Sequence, residues 1–293
     1  MVVPEPRVQR ALLAWFRRCG RTLPWRATRD PWAVLVSELM LQQTQVSRVA
    51  ERFGAFLDRF PTPAACASAG AGEVVKAWAG LGYNRRAMAL HRLATAIVTE
   101  HGGRVPDRLE SLLALPGVGP YTARAVLAFA FEAPVGVVEV NTGRVLARAF
   151  AGAPLGRATA QELADSAVPE GEGWAWSSAM VDLGALVCRR RAPSCEACPI
   201  EAACAWAAAG RAPPDPATGT AGERRRQSRF EGSDRQGRGR LVDALRHGPV
   251  ALDTLAVACG WPDDADRARR VGEGLVADGL AASANGVLVL PEP

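Results

Sequence analysis

The sequence predicts an all-α fold with a small mixed module at its C-terminal end. Three observations carry that prediction. From residue 7 to about 204, apolar residues recur every three or four positions, the period of an amphipathic helix. Gly, Pro or Asn punctuates most of the joins between these runs. An alternating pattern appears only near the end, in LAASANGVLVL (280–290).

The elements follow in order. VQRALLAWFRRC (8–19), WAVLVSELMLQQTQVSRVAERFGAFLDRF (32–60) and GEVVKAWAGLG (72–82) each place an apolar stripe at helical spacing. RAMALHRLATAIVTEHG (86–102), LESLLALPGVG (109–119), YTARAVLAFAF (121–131) and TGRVLARAFAG (142–152) continue it. Residues 1–206 are therefore expected to form one helical domain. Residues 207–234, rich in Ala, Gly, Pro and Thr, read as a linker. Residues 235–293 read as a second module, with helices at 237–248, 252–260 and 264–279. A hairpin follows at Asn285-Gly286, and three helices with a small hairpin suggest a winged-helix-like unit.

Composition bounds the function classes. The chain has 293 residues, 48% hydrophobic and 22% charged, an ordinary globular balance. A net charge of +5 permits a polyanionic partner without requiring one. No stretch approaches the roughly 18 apolar residues of a membrane span, and the first residues lack a signal-peptide run. A cytoplasmic protein is expected. Seven cysteines in a reducing compartment argue against a disulfide framework. Cys19, Cys66 and Cys259 are scattered and read as small buried hydrophobes.

The other four, Cys188, Cys195, Cys198 and Cys204, lie within 17 residues in the spacing C-x6-C-x2-C-x5-C. Four thiolates suit tetrahedral zinc. They also suit a cubane [4Fe–4S] cluster wrapped by a compact loop, and the single Cys-x-x-Cys knuckle places the cluster ahead. Arg189, Arg190 and Arg191 sit on the same loop, either as solvated charges or as a phosphate clamp on a rigid backbone. Leu115-Pro-Gly117-Val-Gly119-Pro-Tyr121 forms a tight glycine turn ahead of a new helix. Backbone amides at such a turn and helix start suit a phosphate.

These signals in this order resemble the helix-hairpin-helix base-excision DNA glycosylases, and among them the adenine-excising MutY type. The resemblance covers about residues 7–206. It is carried by LPWR (23–26), SELMLQQTQVSRV (37–49), GLGYNRRA (80–87), LPGVGPYTARAV (115–126), NTGRVLARAF (141–150), MVDLGALVC (180–188) and the cysteine loop. It implies a two-lobed helix-hairpin-helix core with a [4Fe–4S] loop. It further implies release of adenine mispaired with 8-oxoguanine or guanine from double-stranded DNA, by a monomer. By resemblance Glu38 is the general acid, and its apolar neighbours supply the burial that raises a carboxyl pKa. Tyr121 stands where lyase relatives carry a lysine nucleophile, which implies a monofunctional enzyme. Gln43 matches the residue that fills the gap left by the flipped base, and Tyr83 the intercalating aromatic. Trp25 and Arg26 match the wall of the base pocket.

Three positions and the C-terminal region depart from the family pattern. Glu139 stands where the family has an aspartate beside the sugar, adding a reach of roughly 1.5 Å. Asn141 remains beside it to orient the carboxylate. Ser178 replaces a Gln or Glu that bonds the adenine edge, and Asn84 replaces the second of two aromatics. The β-rich C-terminal domain of many relatives has no room in 235–293, where Arg267, Arg269 and Arg270 are alternative DNA contacts or a solvated face. Two other readings therefore stand beside the first: altered lesion specificity, and an iron–sulfur DNA-binding protein with impaired catalysis.

Overall fold

Helical periodicity survives folding almost throughout. The computed structural model describes residues 3–222 and 229–292. Among the described residues the helices run α1 (Pro6–Cys19), α2 (Pro31–Leu41), α3 (Val46–Arg59), α4 (Pro63–Ser68) and α5 (Ala71–Ala77). Next come α6 (Arg85–His101), α7 (Leu109–Ala114), α8 (Pro120–Ala130), α9 (Val140–Val145) and α10 (Arg157–Ser166). The series closes with α11 (Gly173–Asp182), α12 (Ala205–Ala208), α13 (Asp234–His247), α14 (Leu255–Cys259) and α15 (Ala265–Ala277). No described helix is long and apolar enough to cross a membrane.

The chain forms two compact units that interleave in sequence. The first comprises residues 1–34, 107–109 and 119–226. Its core gathers Leu12, Leu13 and Phe16 of α1 around Leu163 of α10 and Trp176 and Met180 of α11. Pro6 opens α1 at a position where its missing N–H costs nothing. Two helices here widen into π-helical turns, α9 at Leu146–Ala151 and α11 at Leu183–Val187. Such turns insert a residue and re-aim the side chains that follow.

The second unit comprises residues 35–106, 110–118 and 227–293. Phe56 packs edge-on against Phe60 at 5.0 Å and Trp78 at 5.8 Å. Leu90, Leu93 and Ile97 of α6 are fully buried, and α4 and α5 pack on that helix. The C-terminal residues belong to this unit. α13, α14 and α15 bury Leu241, Leu245, Leu255 and Leu275. β1 (Val250–Ala251), β2 (Ala282–Ala284) and β3 (Val287–Val289) form an antiparallel sheet in the order β1-β3-β2. Asn285 and Gly286 have φ of 50° and 74°, the left-handed pair that a two-residue hairpin turn requires.

Three expectations can be set beside the structure. The expected boundaries 1–206 and 235–293 divide the sequence, and in space residues 35–106 group with 227–293. The segment 207–234 is not a free linker over its described part, and residues 223–228 lie outside the described residues. Pro216 and Thr220 are buried, Ala221 N–H donates to Leu155 O at 2.9 Å, and Thr220 Oγ1 accepts from Leu155 N at 3.1 Å. Small residues there permit close backbone approach rather than flexibility. Finally, Cys66 and Cys259 are buried, and burial pushes their thiols up to about 12 and about 11, but Cys19 at the end of α1 is exposed.

A Cβ on Gly143 would overlap the Ala221 carbonyl oxygen, whereas one on Gly239 in α13 meets nothing within 4 Å. Gly143→Ala is expected to cost about 1–3 kcal/mol by overpacking. Gly239→Ala is expected to gain about 0.5–1 kcal/mol through helix propensity. Urea unfolding of both variants checks the contrast.

Candidate functional site

All four clustered cysteines line one cavity in the first unit, walled by Val145, Leu183, Val187 and Ile200 and the stem of Arg148. Two π-helical turns, α9 into Arg148 and α11 into Val187, supply most of that wall. Among the described residues, no three His, Cys, Asp or Glu side chains are close enough to hold one metal ion. Arg148 lies beneath the loop, almost fully buried. Its Nη1 donates to Arg189 O at 2.8 Å and approaches Cys188 Sγ at 3.6 Å, and its Nη2 donates to Arg190 O at 3.3 Å. Asp215 neutralises it at 2.5 Å, and the guanidinium stacks 4.6 Å from the Trp206 ring. Arg144 adds a bond from Nε to Cys188 O at 2.6 Å. The arginine-rich loop is thus held from below through its own carbonyls. Arg189 bends back to Ala192 O and Ser194 Oγ, both at 3.0 Å, while Arg190 and Arg191 are exposed.

Glu139 caps α9. Its Oε1 accepts Asn141 N–H at 2.8 Å and Thr142 N–H at 3.0 Å, and Thr142 Oγ1 returns the bond from Glu139 N–H at 2.8 Å. Oε2 accepts the Asn141 side-chain amide at 3.2 Å. Asn141 Oδ1 in turn accepts from Arg144 Nη2 at 2.8 Å. The structure therefore joins two of the predicted residues, Glu139 and Asn141, through direct bonds. Burial pushes the Glu139 carboxyl up, against the pull of the Asn141 and Thr142 N–H groups and the Arg144 charge.

Trp25 is buried in a 3-10 turn, and Arg26 beside it is locked to Asp182 of α11. Arg26 Nη1 and Nη2 meet Oδ2 and Oδ1 at 2.7 and 2.9 Å, and Arg21 N–H and Nε add bonds of 2.8 and 2.7 Å. Burial acts to raise the Asp182 carboxyl, but Arg26 and Arg21 outweigh it and hold it below the usual range. Arg26 Nη2 also reaches Ser178 O at 3.4 Å. Ser178 is fully buried, and its Oγ has no hydrogen-bond partner in the protein. Tyr121, on the first turn of α8, packs against Ala125, Ala128 and Val137.

In the second unit Glu38 is 4% exposed, on a helix that is buried along most of its length. Gln43 and Tyr83 are exposed, Tyr83 to 41%, and both have left-handed backbones with φ of 59° and 46°. Only six non-glycine residues among the described ones share that conformation. Such strain persists only where neighbours over-determine it. Here Arg86 does so. Its Nη1 donates to Leu39 O and Met40 O at 2.8 Å and to Gln42 O, and its Nη2 to Thr44 Oγ1, Leu81 O and Gly82 O at 2.8, 3.1 and 3.0 Å. In the turn between α7 and α8, Gly117 has φ of 81°, and a Cβ there would crowd Ala89 at 3.2 Å. Gly119 begins α8 with no side-chain cap and open space before its Cβ position.

Comparison with known proteins gives the family. The family model of the HhH-GPD superfamily base excision DNA repair proteins matches residues 36–168. The adenine DNA glycosylase of Mycobacterium tuberculosis is 42% identical over 99% of this chain and 98% of its own length. The chain belongs to the adenine DNA glycosylases of the helix-hairpin-helix superfamily. A thermostable thymine-DNA glycosylase structure shares 31% identity with a TM-score of 0.63, covering 67% of this chain and 93% of its own. An endonuclease III–DNA complex shares the fold at 21% identity and a TM-score of 0.59, over 72% of this chain and all of its own. The protein is thus a DNA glycosylase, an enzyme that hydrolyses N-glycosyl bonds. Sequence reading missed three residues that hold predicted ones in place within their own units: Arg148 and Asp182 in the first and Arg86 in the second. The Arg-Arg pair at 85–86 was the available signal, but an arginine in a helix's first turn reads as solvated.

Removing the Asp182 charge would leave two partly buried guanidiniums facing a neutral amide. Asp182→Asn is expected to cost about 3–5 kcal/mol. The unfolded carboxyl titrates near 3.8 and the folded one below it, so the unfolded state binds more protons between the two. The pair's stability is complete above that window and is lost as pH falls through the folded value. Denaturation midpoints between about pH 2 and 5 are expected to show this acid limb in the parent and not in the variant.

Proposed function

We propose that this glycosylase excises adenine mispaired with 8-oxoguanine or guanine in double-stranded DNA, acting as a monofunctional monomer. The observation that carries the reading is the seat of Glu139. The extra methylene is taken up by folding the carboxylate back onto the α9 N-terminus, where Asn141 orients it. Oε2 accepts the Asn141 amide, and its remaining lone pair is available to a developing sugar cation.

The chemistry divides among named groups. With the nucleotide flipped from the stack, Glu38 delivers a proton to a ring nitrogen of the base. The glycosidic electrons leave with the base, and Glu139 stabilises the oxocarbenium-like sugar until water adds. Tyr121 stands beside the sugar and cannot form a Schiff base. Gln43 fills the vacated stack and Tyr83 intercalates, both presented by strained, exposed turns. The buried Ser178 hydroxyl, without a protein partner, is free to meet the base edge directly or through water, with Trp25 and Arg26 shaping the pocket. The turn around Gly117 and Gly119 and the exposed Arg190 and Arg191, with Arg189 bracing their loop, hold phosphates.

Cys188, Cys195, Cys198 and Cys204 would hold a [4Fe–4S] cluster. Four thiols lining one cavity are the donor set that a [4Fe–4S] centre takes, and the family resemblance places that centre ahead of zinc. The cluster would supply rigidity to the loop, and the reaction runs through the protein groups above. The last residues, helix-strand-helix-helix-hairpin in order, form a winged-helix-like module.

Single-turnover base release from a duplex with adenine opposite 8-oxoguanine tests the reading. The parent and Glu139→Asp are expected to release adenine, and Glu38→Gln to be slower by about 10²–10⁴. The likeness to a thymine-DNA glycosylase, together with Ser178, makes a guanine–thymine duplex the companion substrate. Release of thymine with no release of adenine would replace the adenine reading by altered specificity. Iron and sulfide analysis is expected to give about four of each per chain, lost in Cys198→Ser.

A further inference from the structure

The loop that presents Tyr83 is held by the C-terminal module. Arg246 of α13 has a side chain only 8% exposed. Its Nε donates to Val75 O at 3.1 Å, its Nη2 donates to Asn84 Oδ1 at 2.8 Å, and Asp243 pairs with Nη1. Just beyond α15, Asp278 accepts from Arg85 Nε at 2.6 Å and pairs with Arg238 of α13. The module's last turn lies close as well: a Cβ on Gly72 would overlap the Pro291 carbonyl oxygen. Residues 84 and 85 are thus both tied to the module, while Arg86 ties the next position to the α2 turn. Tyr83 projects from between these anchors.

Two of the three arginines of α15 are engaged, and Arg270 is exposed. Arg267 is engaged by Asp234 Oδ1 and Gly232 O, both at 2.7 Å, and stacks 3.9 Å from the Trp261 ring. Arg269 pairs with Asp266 at 3.0 Å. The contacts that reach the Tyr83 loop are the hydrogen bond from the buried Arg246 to Asn84 and the ion pair of Asp278 with Arg85, whose side chain is 70% exposed.

We infer that the C-terminal module is a positioning element for lesion binding: Arg246, through Asn84, and Asp278, through Arg85, fix the loop that inserts Tyr83 into DNA. This rests on the reading of Tyr83 as the intercalating residue. Pre-ordering the loop removes an entropy cost otherwise met on binding. It also accounts for Asn84, which stands in place of an aromatic because its side-chain carbonyl is the acceptor the module requires.

The test uses the full chain and Arg246→Met, which keeps the apolar stem and loses every donor. Hydrogen exchange of the free protein reports the loop without DNA. The amides of Arg86 and Ala87, which donate to Tyr83 O and Asn84 O, are expected to exchange at least about tenfold faster in the variant. In single turnover, the duplex concentration for half-maximal rate is expected to rise about tenfold, with the saturating rate within about twofold. Asn84→Ala, which leaves the module's own residues untouched, is expected to reproduce both effects. Tyr83→Ala is expected to raise the same concentration, and Arg246→Met added to it to change nothing further.

Unchanged exchange in both folded variants would overturn the inference. So would effects of Arg246→Met and Tyr83→Ala that multiply, because the module would then act independently of Tyr83. A weakened salt dependence in Arg270→Gln with an unaltered loop would identify direct DNA contact by α15 instead. If the parent released no base from any duplex, the functional reading would fail while the exchange experiment still decided the coupling.

Discussion

Much of the second unit depends on burying one cation without a carboxylate. Arg86 sits inside the unit, where removal from water disfavours its charge and pulls its pKa down to about 10. It stays charged at neutral pH because backbone oxygens replace the water. Leu39, Met40 and Gln42 carbonyls belong to the C-terminal turn of α2 and the residue after it, where unsatisfied carbonyls and the helix dipole concentrate negative potential. Leu81 and Gly82 carbonyls come from the approach to Tyr83. The guanidinium also lies 5.3 and 5.4 Å from the Trp78 and Tyr83 ring centres. One residue therefore fixes the end of the helix bearing Glu38, the turn bearing Gln43 and the loop bearing Tyr83. An apolar residue there would remove a donor from five carbonyls, of which Leu81 O and Gly82 O would keep Thr44 Oγ1 and Trp78 Nε1.

The first unit uses the same device. Arg148 and Arg144 bond the carbonyls of Cys188, Arg189 and Arg190, so the cysteine loop is held through its backbone as well as its thiols. Here a carboxylate does take part: Asp215, from the packed segment after α12, neutralises Arg148. That segment links the loop to the cap of α9, since Thr220 and Ala221 bond Leu155 and a Cβ on Gly222 would lie 2.7 Å from the Glu139 backbone. The order of the cysteine loop and the order of Glu139 are consequently one problem in packing.

This explains which features were legible in the sequence. Helices were readable because apolar periodicity is a local record of which face is buried. The hairpin was readable because Asn285-Gly286 is a conformational demand on two residues. The convergence of the four cysteines on one cavity followed from chemistry that has few solutions. Arg86, Arg148 and Arg246 were not readable, because a buried arginine and a solvated one have the same sequence signature. The difference lies in carbonyls and carboxylates contributed from up to 171 residues away. The packed 215–222 segment was misread for a related reason. Ala, Gly and Thr mark both flexible chain and backbone that must approach another backbone closely.

Glu139 shows how a long carboxylate is held as a helix cap. Asp, Asn, Ser and Thr are the preferred caps, because a short side chain reaches the first free amides directly. A glutamate must curl to reach the same N–H groups. Its extended backbone, φ −134° and ψ −173°, gives the longer chain that course. Two glycines make room: a Cβ on Gly222 would strike the Glu139 backbone, and one on Gly184 would come within 2.6 Å of Asn141. The carboxylate ends on its own helix start, Oε1 on the Asn141 and Thr142 N–H groups and Oε2 on the Asn141 side-chain amide, so one residue both closes the first turn and holds the carboxyl in place.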